Sequence, residues 1–180
     1  MKRKFDLKTL ISLALLAALC AVLKAFASVP LSFMGFKTAE LSLAPLPVMV
    51  AGVFFGPLAG GLAGFAGEMA GFFLGIQMGG YDPVFSAVMA LYGIIAGLFY
   101  LGKREDAVLR IIGLTALGVI CTAFIKTVYL TGVYGLPAGV IIPNQAAVSG
   151  VALPVYMLLM TALIKSLRPV VNRRFLSEQK

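Results

Sequence analysis

Long apolar segments, separated by short polar or proline- and glycine-containing breaks, make up most of this 180-residue chain. A helix needs about 20 mostly apolar residues to cross the hydrocarbon layer of a bilayer. Segments of this kind predict six transmembrane helices, at about residues 10–29, 41–55, 58–76, 83–101, 108–130 and 144–164. The predicted fold class is therefore all-α: an integral membrane bundle of six transmembrane helices that forms one domain over residues 1–180.

The breaks between these segments carry local signals of their own. Pro30 is expected to end the first helix, before a short loop that contains Lys37 and Glu40. Gly56 and Pro57 predict a tight break between the second and third helices. The other connections are predicted as a polar turn at residues 77–82, a charged linker at 103–106, and a glycine- and proline-containing loop at 131–143.

Basic residues gather on one side of this predicted bundle. Twelve of the 15 lysines and arginines fall at the N-terminus, in the second and fourth loops, or at the C-terminus. The opposite loops hold only Lys37, while Lys24 and Lys126 fall within spans. Cytoplasmic segments carry the excess of basic residues, so both termini are predicted to lie in the cytoplasm.

The N-terminal segment also allows a different interpretation. A basic leader, an apolar core and the sequence Ala25-Phe26-Ala27 together resemble a cleavable signal peptide, whose removal would leave five spans. The length of the apolar run, and a lysine immediately before the cleavage motif, favour a first helix that is retained.

Composition excludes a water-soluble fold and narrows the possible chemistry. Hydrophobic residues make up 61% of the chain and charged residues 12%, with a mean hydropathy of +1.01. A soluble domain of this size could not bury so much apolar surface. The net charge of +8 lies at the ends of apolar segments, so nucleic acid is not a predicted partner. Cys20 and Cys121 lie inside apolar segments, where we interpret them as packing residues.

No set of residues predicts an enzyme, a metal site or a resident cofactor. The chain has no histidine, which excludes most zinc and catalytic-triad chemistry. No two carboxylates lie within one helical turn inside a span, and no phosphate-binding glycine loop of the nucleotide-hydrolase type is present. Uphill transport would therefore need energy from a partner or from an ion gradient.

Small residues line one face of two predicted helices. In the third helix, glycines recur at steps of three and four residues: Gly60, Gly64, Gly67, Gly71 and Gly75. This pattern favours packing inside the bundle, because backbones approach closely where side chains are absent. In the first helix, Ala14 and Ala18 lie one turn apart on one face. The sequence alone allows that alanine face to pack inside the bundle or to contact a partner.

Three ionisable residues within the spans are candidates for function, since a charge inside the bilayer is costly. Lys24 and Lys126 fall in the outer thirds of the first and fifth spans, and Glu68 falls near the middle of the third. Two lysines at similar depth are expected to bind an anion together. The alternative for the lysines is snorkelling to the headgroups, and for Glu68 it is an internal hydrogen bond or ion pair.

Polar residues of the predicted outward loops complete a candidate substrate site. The residues predicted to bind substrate are Lys24, Lys37, Glu68, Tyr81, Asp82, Lys126, Asn144 and Gln145. Lysines suit carboxylates, amides and acids suit ring nitrogens, and tyrosines suit stacking, so this set predicts a polar, partly aromatic small molecule. The alternative for the tyrosines is an aromatic belt at the membrane interface.

Several short sequences resemble one family of membrane proteins. They are Leu46-Pro47, Phe55-Gly56-Pro57-Leu58-Ala59-Gly60, the glycine-rich helix that follows, Pro83-Val84-Phe85-Ser86, and Tyr92-Gly93. Together with the chain length, the six spans, the basic ends and the alanine-patterned first helix, they resemble the substrate-binding (S) components of energy-coupling factor (ECF) transporters. The most similar branch is the folate-type family.

The resemblance implies a high-affinity vitamin-binding subunit of an ABC importer in the bacterial plasma membrane. It implies that a pocket roofed by the first outer loop captures substrate from outside. It also implies that Ala14 and Ala18 face a transmembrane coupling subunit, in a complex with two ATPases, and that the S component topples to release its ligand inward.

Folate is the first expectation for the vitamin, with pantothenate and cobalamin as alternatives. Folate-type members tend to have Asp at the position of Glu68 and basic residues at the start of the sixth helix. Here that helix opens with residues 143–147, which carry no positive charge.

Two other classes of function are also compatible with the sequence. A self-sufficient secondary transporter would use Glu68 as a proton or cation site, although residues 1–90 and 91–180 show no convincing internal repeat. A structural or assembly protein would use the glycine face as its interface. Co-purification with ATPases distinguishes an S component from both.

Overall fold

The computed structural model describes residues 7–33, 36–75, 81–98 and 107–177. Within these ranges the chain forms six helices and one antiparallel hairpin. In chain order the elements are α1 (Leu7–Phe26), β1 (Ser28–Phe33), β2 (Phe36–Ser42), α2 (Pro45–Phe55), α3 (Pro57–Leu74), α4 (Pro83–Gly97), α5 (Ala107–Tyr134) and α6 (Ala138–Ser177). The main core lies around Met49, Tyr92 and Tyr156, which bring α2, α4 and α6 together.

Four helices of the described chain are long and apolar enough to cross a membrane: Leu7–Phe26, Pro57–Leu74, Leu109–Tyr134 and Ala138–Leu163. The helices α2 and α4 are shorter, with 11 and 15 residues. The helical bundle is therefore as predicted, whereas the count of six spans and the cytoplasmic termini stay predictions. The charged linker 103–106 and the basic leader 2–4 lie outside the described residues.

The segment after the first helix is a hairpin, where the sequence had predicted a loop. Its strands pair with Ser28 opposite Ser42 and Pro30 opposite Glu40, and a bulge lies between Leu31 and Ser32. The two strands have only six and seven residues. Segments this short are not visible in a hydropathy pattern that is read over membrane-spanning lengths. Pairing satisfies backbone groups that would otherwise need water.

The break between α2 and α3 confirms the prediction from Gly56 and Pro57. Gly56 has a φ of 98° and donates its backbone N–H to the carbonyl oxygen of Gly52. An L-residue with a side chain rarely adopts this backbone conformation. Pro57 then starts α3 at a position where a helix has no use for the missing N–H.

The predicted loop at 131–143 was too long. The helix α5 continues to Tyr134, and α6 already begins at Ala138. Glycine and proline had indicated a loop, but Gly132, Gly139 and Pro143 are all helical. A glycine costs a helix about 0.5–1 kcal/mol relative to alanine, which is less than the several kcal/mol for an unsatisfied backbone group in lipid.

Candidate functional site

One buried lysine joins three separate elements at the hairpin end of the bundle. Lys24, in the last turn of α1, places its Nζ 2.6 Å from Oε2 of Glu40 on β2 and 2.6 Å from Oε1 of Glu68 on α3. The side chain of Lys24 is 3% exposed, and each carboxylate side chain is 7% exposed. We call these three residues the charge triad. With all three groups ionised, its formal charge is −1.

The glycine face of α3 makes room for this lysine. A Cβ added at Gly71 would lie 2.7 Å from both Cβ and Cγ of Lys24, so any side chain there would displace the lysine stem. One turn away, Gly67 receives Cys20 in the same manner. The hydroxyl of Ser28 also donates to the carbonyl oxygen of Lys24, at 2.6 Å. Sequence and packing thus fix Lys24 in one position.

The second predicted lysine has a different environment. The Nζ of Lys126 on α5 lies 5.7 Å from the centroid of the Phe85 ring, a distance that suits a cation–π contact. Lys126 also lies within electrostatic range of all three members of the charge triad. Among the described residues we find no hydrogen bond or ion pair for its ammonium group. No described carboxylate therefore lies within ion-pair distance of the Lys126 side-chain nitrogen.

Asp82 joins the N-terminal end of α4 to the C-terminal end of α5. Its Oδ1 accepts the backbone N–H of Val84 and so caps α4, at 2.9 Å. Its Oδ2 accepts the hydroxyls of Tyr129, at 2.7 Å, and Tyr134, at 3.1 Å. Both carboxylate oxygens thus serve the protein itself, and Asp82 is positioned to hold the two tyrosines.

Tyr81 belongs to an aromatic cluster with two phenylalanines of α3. Its ring stacks on Phe73 with centroids 5.8 Å apart and meets Phe72 edge-on at 5.3 Å. Its hydroxyl lies 2.8 Å from that of Ser86. Phe73 is 72% exposed, so this cluster presents an aromatic surface.

The predicted amides of α6 contact the hairpin. Gln145 donates its side-chain N–H to the carbonyl oxygen of Thr38, at 2.7 Å, and Asn144 donates to the Thr38 hydroxyl at 3.3 Å. Further along α6, the hydroxyl of Tyr156 donates to the carbonyl oxygen of Ser42. Thr38 and Tyr156 were not predicted. A tyrosine within an apolar span was the available signal for the second, because a buried tyrosine hydroxyl usually finds a partner.

The structure thus brings Lys24 and Glu68 into one cluster, places Lys126 near it, and places Asn144 and Gln145 against the same hairpin. Lys37 lies on β2, but its side chain lies outside the described part of the structure. Lys24 does not snorkel, since its ammonium is buried between two carboxylates. The internal ion pair considered for Glu68 is present. That these residues bind substrate stays a prediction.

The alanine face of α1 points away from the bundle. Ala14 and Ala18 are exposed, whereas Ala21, further along α1, is buried and Ala17 packs beside the core. Of the two arrangements that the sequence allowed, the described structure shows the face uncovered. It is therefore open to lipid or to a partner.

Comparison with known proteins identifies a solved structure with a similar fold and a matching protein family. The structure is similar to the crystal structure of FolT bound with folic acid, with a TM-score of 0.70 and 23% sequence identity, over 86% of this chain and 92% of that chain. At this identity the likeness shows a shared fold. A search among curated proteins gave no match. Residues 8–168 match the family described as the ECF transporter substrate-specific component. Because that match covers most of the chain, the protein belongs to the family of substrate-specific components of ECF transporters.

Proposed function

We propose that this chain binds an anionic vitamin, with folate as the first candidate, at the hairpin end of its bundle. In this proposal it is a multi-pass protein of the bacterial cell membrane, with six spans and cytoplasmic termini. A transmembrane coupling subunit and two ATPases then drive uptake of the bound vitamin. The FolT structure, whose fold is similar, contains folic acid.

The observation that carries the ligand class is the ammonium group of Lys126. A lysine within an apolar helix is costly and usually serves a function. In the described structure Lys126 contacts the ring of Phe85 and no carboxylate. A carboxylate of the ligand would complete its contacts with a charge-assisted hydrogen bond.

The aromatic cluster supports a ligand that also carries a flat ring. Phe72, Phe73 and Tyr81 form one group of rings, and Phe73 is largely exposed. Offset stacking on such rings contributes about 0.5–1.5 kcal/mol beyond area burial. Folate combines a flat ring system with carboxylates, so both features suit it.

Lys24 takes a different part in this proposal from the one predicted for it. Two carboxylates already hold its ammonium, so we assign the anion contact to Lys126 and the hairpin contact to Lys24. Gln145 and Asn144 likewise support the hairpin through Thr38. Lys37 remains a predicted ligand contact.

The binding experiment compares Lys126→Met with Lys165→Met. The second substitution removes an exposed lysine of α6 near the C-terminus. Purified protein in nanodiscs is titrated with radiolabelled folate. We expect Lys126→Met to weaken binding about ten- to a hundredfold, since a hydrogen bond to a charged group is worth about 1.5–3 kcal/mol. Lys165→Met should bind as the wild type does.

Two results would contradict the proposal. Equal folate affinity in Lys126→Met and wild type would remove the anion contact. Absence of folate binding by the wild type would exclude folate, and parallel titrations with pantothenate and cobalamin would then test the alternatives. Uptake that needs no ATPase partner and stops with an ionophore would instead support a secondary transporter.

A further inference from the structure

We propose that Lys24 and Glu40 form a latch that holds the hairpin against the bundle, and that Glu68 weakens this latch by competing for the same lysine. The three charges together then set how often the hairpin opens. The consequence for ligand exchange rests on the proposed function, whereas the opening itself does not.

The hairpin is tied to the helices by contacts of two kinds. On the α6 side the contacts are neutral hydrogen bonds, from Gln145 and Asn144 to Thr38 and from Tyr156 to Ser42. On the α1 side Glu40 provides a charged contact, the 2.6 Å ion pair with Lys24. Charge-assisted hydrogen bonds are roughly twice as strong as neutral ones. We therefore expect the Lys24–Glu40 contact to contribute strongly to hairpin closure.

The charge count of the triad determines what opening leaves behind. Glu40 lies on the hairpin and moves with it, while Lys24 and Glu68 lie on helices α1 and α3, which pack against each other. When Glu40 leaves, Lys24 and Glu68 remain as a neutral, paired unit. A lysine with Glu40 as its one partner would be left as an unpaired buried charge, which is strongly unfavourable. Glu68 thus lowers the cost of opening.

Glu68 also opposes the closed state directly. Both carboxylates contact one nitrogen at 2.6 Å, so their contacting oxygens lie within about 5 Å of each other. The second oxygen of Glu68 is buried and has no hydrogen-bond partner among the described residues. Lys126 attracts both Glu40 and Glu68 from α5, but at a longer distance than Lys24 does. Repulsion between the two carboxylates therefore remains part of the closed state.

Removing the charge of Glu40 and removing the charge of Glu68 should therefore change the rate of hairpin opening in opposite directions. If both residues only stabilised the fold, both substitutions would speed up opening. Hydrogen–deuterium exchange of ligand-free protein in nanodiscs reports hairpin opening through the amides of residues 28–33 and 36–42. Glu40→Gln keeps the side-chain shape and removes the charge, so hairpin exchange should become about ten- to a hundredfold faster. Glu68→Gln should make it about tenfold slower, because Lys24 and Glu40 then form an unopposed pair.

Glu68→Gln is the matched control for Glu40→Gln, since each substitution replaces one carboxylate that contacts Lys24 with an amide of the same shape. Exchange in α2 should stay unchanged in both variants, which shows that the bundle remains folded. Faster hairpin exchange in both variants would mean that the triad only holds the fold together. Unchanged exchange in Glu68→Gln would remove the competition that we propose.

Folate release gives a second measurement on the same variants. We expect faster dissociation from Glu40→Gln and slower dissociation from Glu68→Gln. If wild-type protein does not bind folate, the proposed function fails, but hydrogen–deuterium exchange of the ligand-free variants still tests the latch. If folate binds but hairpin exchange does not follow the predicted order, the latch fails and the proposed function stands.

Discussion

Most glycines of α5 and α6 have surroundings opposite to those of the glycines of α2, α3 and α4. A methyl group added at Gly93 of α4 would overlap the carbonyl oxygen of Gly60 on α3, and one at Gly52 of α2 would overlap that of Gly93. Among the described residues, nothing lies within 4 Å of a Cβ added at four glycines of α5 and α6: Gly113, Gly132, Gly139 and Gly150. One half of the bundle is therefore packed backbone to backbone, and the other is not.

This difference shows that spacing, more than the number of glycines, indicates close packing in an apolar bundle. In α3 the glycines recur every three or four residues, so they form a continuous face. That face contacts α2 and α4 through Gly60, and α1 through Gly67 and Gly71. The four open glycines of α5 and α6 form no such continuous face, and no described atom lies within 4 Å of a Cβ added at any of them.

The largest effect is expected for Gly93→Ala in the closely packed half. The new Cβ would meet backbone atoms of Gly60, which cannot move without separating α3 from α4. Overpacking costs about 1–3 kcal/mol and occasionally more, and here we expect a loss of about 3 kcal/mol or more in the free energy of unfolding. Denaturant titration in mixed micelles measures it. A stability equal to that of wild type would show that the two helices do not touch at this point.

Gly71→Ala should have a smaller effect that is concentrated on the charge triad. Its Cβ would lie 2.7 Å from the Lys24 stem and 3.1 Å from the backbone of Ala21. We expect a loss of about 1–3 kcal/mol in the free energy of unfolding, together with faster hydrogen–deuterium exchange in the hairpin. Loss of stability with unchanged hairpin exchange would show that the contact between Gly71 and Lys24 does not determine how firmly the hairpin is held.

Gly113→Ala and Gly150→Ala are the corresponding substitutions in the open half. Both positions are helical, and no atom of the described part of the chain lies within 4 Å of a Cβ added there. Alanine is favoured over glycine in a helix interior by about 0.5–1 kcal/mol. We therefore expect unchanged or slightly increased stability in the same titration. A loss as large as that of Gly93→Ala would refute the contrast between the two halves.

The smallest effect on stability is expected for Ala14→Leu combined with Ala18→Leu. Both alanines are exposed on α1, so larger side chains should enter the bilayer and leave unfolding and folate binding unchanged. If this face contacts the coupling subunit, close approach of the two backbones is lost. Co-purification with that subunit and ATP-dependent uptake should then disappear. Loss of folate binding in the same variant would show that the face belongs to the bundle.

Much of the helical architecture could be predicted because it depends on local properties. Hydropathy located all six helices within a few residues at most ends, and the Gly56–Pro57 break followed from backbone sterics. The hairpin and the length of α6 were less accessible. Short strands lack a hydropathy signal, and the 40-residue α6 passes through glycine and proline positions that usually indicate a loop.

The candidate site was predictable as a list of residues and not as an arrangement. An ionisable side chain in an apolar segment is visible in the sequence, so Lys24, Glu68 and Lys126 could all be named as candidates. Their partners could not be named, since Glu40 comes close to Lys24 only when the hairpin folds back against α1.

By itself, the sequence determined a membrane bundle with a glycine-packed third helix and a family of vitamin-binding subunits. Those properties depend on residues that are near one another in the chain. Tertiary structure alone decided that Lys24 forms ion pairs with two carboxylates and that Lys126 contacts no described carboxylate. Pairing of charges depends on distance in space, and only the packing of α1, β2 and α3 brings two carboxylates to Lys24 while leaving Lys126 with an aromatic ring.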